Sequence, residues 1–181
     1  MIIALIVIAV IVIAVIVMYN GFIKLKNNCE EAFATMDVYL KKRYDLIPNL
    51  VETVKGYAAH EKETLTKVIE ARNMAQGAAT VEEKIAGENQ LQGTLKSLFA
   101  IAENYPDLKA NQNFLDLQNQ LKKVEEDIAN SRKYYNAVVK QFNVKCEAFP
   151  SNIIAGIFKF EKKSMFEVDS VEERQNVKVS F

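Results

Sequence analysis

The residue types best suited to proton transfer or metal binding are scarce in this chain. It has one histidine, His60, and two cysteines, Cys29 and Cys146. A general base needs a proton within reach and companions that tune it. His60-Glu61 is not followed by a second histidine four residues on, so the helical zinc-protease motif is absent. No glycine-rich phosphate loop and no Gly-x-Ser-x-Gly elbow occurs. Helical bundles hold metal pairs with inward carboxylates and Glu-x-x-His sets. No such set is present, and the apolar seams traced below are read as free of carboxylates. The chain is therefore expected to have no catalytic, cofactor-binding or metal-binding residue. His60 reads as a cap or a solvated side chain at a helix junction. The cysteines read as small buried hydrophobes, not as a disulfide framework or a zinc signature.

What remains is a polar cluster around a proline. Lys41, Lys42, Arg43, Asp45 and Asn49 surround Pro48, with Asp37 a little upstream. Proline has no N–H, so the Tyr44 carbonyl loses its helical donor. Asn49 or a lysine is expected to satisfy it, and the helix is expected to kink near Tyr44–Pro48. Asp37 and Arg43 lie near enough to the apolar seam to pair across a bundle with Arg132 or Glu125. Such a layer would fix register between helices. The alternative is a docking site for a partner built on Asp37, Arg43, Asp45, Pro48 and Asn49.

Two long helices are needed to position these groups. One seam runs through Phe22, Leu25, Cys29, Ala32, Met36, Leu40, Ile47, Leu50, Val54 and Tyr57, which predicts a helix as far as about Ala58. Another runs from Phe114 through Leu121, Val124, Ile128, Tyr135, Val138 and Phe142 at alternating spacings of three and four. This coiled-coil-like stripe predicts a helix over 110–148, stopped by Pro150. Two shorter helices fill the middle. One runs from Glu61 to about Gln76 with Gly77 as its stop. The next starts at a capping box, Thr80 with Glu83, and ends before Pro106. The break at Gly77–Thr80 favours four helices over three, so the expected fold is an all-α, antiparallel four-helix up-and-down bundle. No stretch before residue 149 alternates with period two, and no sheet is expected there.

The bundle is expected to continue from a membrane span. Ile2–Met18 is apolar without a break, and no charged side chain precedes Lys24. About 20 apolar helical residues span the hydrocarbon core. A cleaved signal needs a basic start, a shorter apolar core and a small-residue cleavage site, none of which is evident here. Tyr19 and Phe22 suit the aromatic belt, and Lys24 and Lys26 the headgroup level. Lys24, Lys26, Lys41, Lys42 and Arg43 follow the span closely. By the positive-inside rule the N-terminus then lies outside the cell membrane and the bulk of the single-pass chain in the cytoplasm.

A second apolar stretch follows Pro150. Phe149, Ile153, Ile154, Ile157, Phe158 and Phe160 are too apolar for a solvated loop and too few to span. They close the open end of the bundle, lie on the headgroups as an interfacial foot with Lys159, Lys162 and Lys163 toward phosphate, or form a patch for a partner or for assembly. Ser151 or Asn152 could cap a short helix there. The expected organisation is an anchor at 1–22, a bundle at 23–149, a membrane-proximal segment at 150–163 and a loosely ordered tail at 164–181. Within that tail, residues 176–181 alternate and could add as an edge strand elsewhere.

The composition is balanced. The chain has 23 basic and 23 acidic residues, all beyond the apolar run, which implies no nucleic-acid partner.

Several ordered blocks resemble the LemA family of bacterial membrane proteins. They are Asp37-Val-Tyr-Leu-Lys-Lys-Arg-Tyr-Asp-Leu-Ile-Pro-Asn-Leu-Val-Glu-Thr-Val-Lys-Gly-Tyr-Ala-Ala59 with His60-Glu-Lys-Glu-Thr-Leu65, then Tyr105-Pro-Asp-Leu-Lys-Ala-Asn111, then Tyr134-Tyr-Asn136 and Phe149-Pro-Ser-Asn-Ile-Ile-Ala-Gly156. The final stretch is the loosest match. The resemblance implies an antiparallel helical bundle on one N-terminal anchor, without an agreed activity. Some relatives belong to magnetosome membranes, and others are encoded near membrane proteases.

The expected function is a single-pass, non-enzymatic scaffold that recruits partners or self-assembles at the cytoplasmic membrane. Its partners would be the lipid bilayer, other copies of itself as a homo-oligomer, and a membrane protein such as a protease. An accessory subunit of a protease system is the first alternative. A cryptic hydrolase is remote.

Overall fold

The structure, a computed structural model, describes residues 1–166, and every regular element among them is a helix. Helix α1 spans Ile2–Lys55, α2 Lys62–Gly77, α3 Val81–Ala102, α4 Pro106–Lys109, α5 Gln112–Glu147 and α6 Ser151–Phe158. The local signals act where their chemistry requires. The Thr80 hydroxyl accepts from the Glu83 N–H while the Glu83 carboxylate accepts from the Thr80 N–H, closing the capping box that starts α3. Pro106 sits at the start of α4, where its missing N–H costs nothing. Pro48 lies inside α1 without ending it.

Contacts divide the chain into two units. The central unit is Val38–Ile128 together with Phe166. The terminal unit is Met1–Asp37 with Ala129–Met165. Helices α1 and α5 contribute a stretch to each.

In the central unit, four helices pack antiparallel. Arg43 meets Glu125, and further along the Asn111 amide donates to the Tyr57 hydroxyl at 2.8 Å, so α1 and α5 run in opposite directions. Helix α2 folds back on α1, and α3 folds back on α2. The α2–α3 approach is close: a Cβ placed on Gly87 would lie 2.7 Å from the Ala75 Cα. Only hydrogen fits there. The core is lined by Leu50 and Val54 of α1, Val68 of α2, Leu91 and Leu98 of α3, and Leu121 of α5, all buried.

In the terminal unit, α1 and α5 pair antiparallel through aromatic side chains. Phe22 meets Phe142 edge-on at 6.0 Å, and Phe33 meets Tyr135 at 5.8 Å. The apolar run before Tyr19 has almost no protein around it. Helix α6 buries Ile154 and Ala155. Neither Ser151 nor Asn152 caps it, contrary to expectation. The Ser151 hydroxyl is instead directed at the end of α5, donating to the carbonyls of Lys145 at 2.6 Å and Ala148 at 2.9 Å. It meets orphan carbonyls at one helix end, not orphan donors at the next helix start.

After α6, Lys159 takes the left-handed conformation, with φ 55° and ψ 43°. The turn lets the Phe160 N–H donate to the Ala155 carbonyl at 2.9 Å and brings Phe160 flat onto Phe22, 4.7 Å apart at 9°. From there a non-helical strip runs along α5. The Asn143 side chain accepts from the Lys163 N–H at 2.8 Å and donates to the Lys163 carbonyl at 2.9 Å. Tyr135 donates to the Ser164 carbonyl at 3.0 Å. The alternating stretch 176–181 lies outside the described residues.

Candidate functional site

Each unit contains one cluster that stands apart from ordinary packing. In the central unit it is built around Arg43, whose side chain is 0% exposed. One guanidinium nitrogen pairs with the Glu88 carboxylate, which is equally buried, and the other donates to Glu125 at 2.7 Å. The Tyr44 hydroxyl donates to the other oxygen of Glu88. A buried carboxylate is tolerable only with such partners, and here one guanidinium and one phenol supply them. The Arg43 Nε is buried and has no acceptor among the described residues.

The carbonyl freed by Pro48 is satisfied nearby. The Arg72 Nε of α2 donates to the Tyr44 carbonyl at 3.0 Å. Neither Asn49 nor a lysine takes that place, because Asn49, Lys41 and Lys42 are exposed while Arg72 faces α1. Thus α1 is tied to α2 through a backbone oxygen and to α3 and α5 through one guanidinium. The site links side chains or backbone of four helices.

The expected polar layer is therefore only partly assembled. Arg43 turns inward and takes Glu125, as anticipated from the seam. Asp45 and Asn49 face outward, Pro48 is half-buried, and Asp37 belongs to the terminal unit. The reading of the seams as free of carboxylates is overturned by Glu88. It lies on the α3 stripe, three residues after Ile85 and three before Leu91, and its charge is held by Arg43. Tyr44 and Arg72 were also missed as site residues. The signal for Tyr44 was its place four residues before Pro48; for Arg72 it was a charged residue at a seam position. His60 is exposed between α1 and α2. Among the described residues, no group of three or more His, Cys, Asp or Glu side chains could hold a metal ion.

The cluster in the terminal unit is aromatic. Tyr19 lies 4.7 Å from Phe158 and 5.9 Å from Phe160, and Phe160 also meets Phe142 at 6.4 Å. The end of the apolar run is thus joined to α6 and the turn after it. Of the six residues expected to act together, Ile154 is buried and Phe160 half-buried. Phe149, Ile153, Ile157 and Phe158 are exposed, Phe149 by 81% and Ile157 by 66%. Positions 153 and 157 are one helical turn apart and share a face. The segment both closes the unit with one face and leaves an apolar face open.

Charged groups border this cluster. The Lys145 ammonium sits against Gly21, 4.9 Å above the Phe22 ring. Burial pulls its pKa below the ordinary lysine value. Cys29 is buried and Cys146 half-buried; both are free thiols, and burial pushes both up from the usual thiol range.

The profile of the LemA family matches residues 32–181. Protein LemA of Metamycoplasma hominis is 24% identical over 157 residues, covering 84% of this chain and 70% of that protein. Magnetosome protein MamQ 2 of Paramagnetospirillum magneticum is 23% identical over 175 residues, covering 82% of this chain and 64% of its own length. Magnetosome protein MamQ of Magnetospirillum gryphiswaldense is 23% identical over 174 residues with the same coverage. The chain spans about two thirds of the length of these relatives. Neither name denotes a catalytic activity. The apolar first half of α1 is long enough to cross a membrane and fits an anchor. The match over residues 32–181 covers most of the chain, and on that ground the chain belongs to the LemA family.

Proposed function

We propose that this protein is a non-catalytic scaffold, held in the cytoplasmic membrane by the first half of α1, that gathers copies of itself or other membrane proteins. One observation carries the reading. The exposed apolar face of α6 adjoins Tyr19, where the apolar run of α1 ends, through the Phe158 ring at 4.7 Å. A face so placed meets either the bilayer interface or a second copy. Confinement to a membrane raises the effective concentration of weak contacts, so modest faces can sustain assembly. The lysines and arginine that follow the span support a cytoplasmic bulk. The relatives named as magnetosome proteins support a place in an organised assembly.

The test uses the full chain in vesicles. The variant Ile153→Glu, Ile157→Glu, Phe158→Glu is expected to lose cross-linked oligomers, or to withdraw α6 from the interface, while its helical circular dichroism stays near normal. Depth is read with Phe149→Trp, since the chain has no tryptophan of its own. Brominated lipid should quench this residue, and less so in the triple variant. Unchanged cross-linking together with unchanged quenching refutes the role of α6.

A further inference from the structure

We propose that Lys145, seated against Gly21 and Phe22, binds the phosphate of an anionic phospholipid headgroup. This rests on the reading above, in which α6 and the end of the apolar run lie at the membrane interface.

The space for the ammonium exists because residue 21 has no side chain. A Cβ there would collide with the Lys145 nitrogen. The amine sits above the Phe22 ring, whose negative face attracts a cation. It has no carboxylate partner among the described residues, and no neighbouring acid offsets the desolvation that lowers its pKa. Glu147, two residues on, is engaged by Lys162 at 2.7 Å. A half-buried ammonium without an anion is a costly arrangement in a closed protein. It is a favourable one where a phosphate arrives from outside.

Depth points to the source of that phosphate. Gly21 and Phe22 are followed by Ile23 and then Lys24, the first charged side chain of the chain. An ammonium held against them stands where the hydrocarbon gives way to headgroups. Lys24, Lys159 and Lys163 of the same unit also lack carboxylate partners among the described residues, and the Lys163 ammonium lies 5.9 Å from the Phe142 ring. These unneutralised lysines, two of them beside aromatic rings, suit an anionic headgroup, with Lys145 the one placed in a slot.

The full chain is reconstituted in vesicles of phosphatidylcholine and phosphatidylglycerol, extracted in mild detergent, and its retained lipid measured by mass spectrometry. The wild type is expected to enrich phosphatidylglycerol. Lys145→Gln should lower that enrichment about fivefold, as expected for one lysine at an anionic surface. Lys145→Arg should keep most of it. Gly21→Ala, which preserves the charge but displaces the amine, should lower it as well. Lys67→Gln in the central unit should leave it intact.

Equal enrichment in wild type and Lys145→Gln overturns the site. So does a Lys145-dependent loss of oligomers without any change in lipid preference, which would assign the amine to a carboxylate of a second copy. Inorganic phosphate bound in pure phosphatidylcholine vesicles, without preference for phosphatidylglycerol, overturns the lipid source. Quenching of Phe149→Trp in phosphatidylcholine alone separates the two claims. Quenching without selective enrichment removes the lipid site and leaves the interfacial α6 standing; absent quenching removes both.

Discussion

The central and terminal units solve the same packing problem with opposite materials. In the central unit four helices enclose a charge: Arg43 is fully buried and draws acceptors from α3 and α5. In the terminal unit two long helices and one short one enclose rings: Phe22, Phe142, Phe158, Phe160 and Tyr19 meet one another. The difference follows from how many helices are available. Four can surround a guanidinium and offer it carboxylates from more than one direction. Two cannot exclude water so well, and large rings bury much area from few positions. The arrangement with fewer helices also leaves apolar surface uncovered at Phe149, Ile153 and Ile157. The contrast is between a charge enclosed with carboxylate partners in one unit and apolar side chains left open in the other.

The largest effect expected from breaking this contrast is at Glu88. Glu88→Ala leaves the buried Arg43 guanidinium with Glu125 as its one remaining carboxylate and should cost about 3 kcal/mol in urea unfolding of the full chain in detergent. Replacing both members of the pair, Arg43→Met with Glu88→Leu, should recover part of that loss, because no buried charge of the pair remains, although the bonds to Glu125 and from Tyr44 go with it. If the double variant were as unstable as the single one, the charge itself would be required. In the terminal unit, Phe160→Ala removes contacts to Tyr19, Phe22 and Phe142 from a half-buried site. It should cost about 1–2 kcal/mol, with faster amide exchange in α6 and little change in α2 and α3. The smallest effect is expected at the junction of the two kinds of bond. Arg72→Ala leaves the Tyr44 carbonyl to water and should cost about 1 kcal/mol. Exchange data that showed α1 unaffected around Pro48 would remove the tie between α1 and α2.

Much of the fold was legible because its signals are local. The Thr80–Glu83 capping box, Pro106 and Pro150 mark helix ends without reference to anything distant. The uncharged start of the chain declares the apolar half of α1. The central site was half legible. Arg43 and Glu125 could be matched from their places on two seams. Asp45 and Asn49 share the segment but, at 3.6 residues per turn, point away from the face that carries Arg43, Ile47 and Leu50. Glu88 escaped because a carboxylate in an apolar stripe has no meaning until its partner on another helix is known. Arg72 escaped for a related reason: its acceptor is a backbone oxygen, laid bare only by a proline on a different helix. The Ser151 hydroxyl, backed onto the end of α5, depends on a turn geometry that residue types alone do not specify.

Part of the hold on the strip after Phe160 ignores its composition, beside the side-chain contacts of Lys162 with Glu147 and of Lys163 with the Phe142 ring. Asn143 grips residue 163 by main-chain N–H and C=O alone, as a neighbouring strand would, and Tyr135 likewise grips only a carbonyl. Nothing in that grasp reads what projects from the strip. These main-chain bonds would survive a change of side chain at 163 or 164, so one amide and one phenol can guide the path while the contacts of its side chains are exchanged.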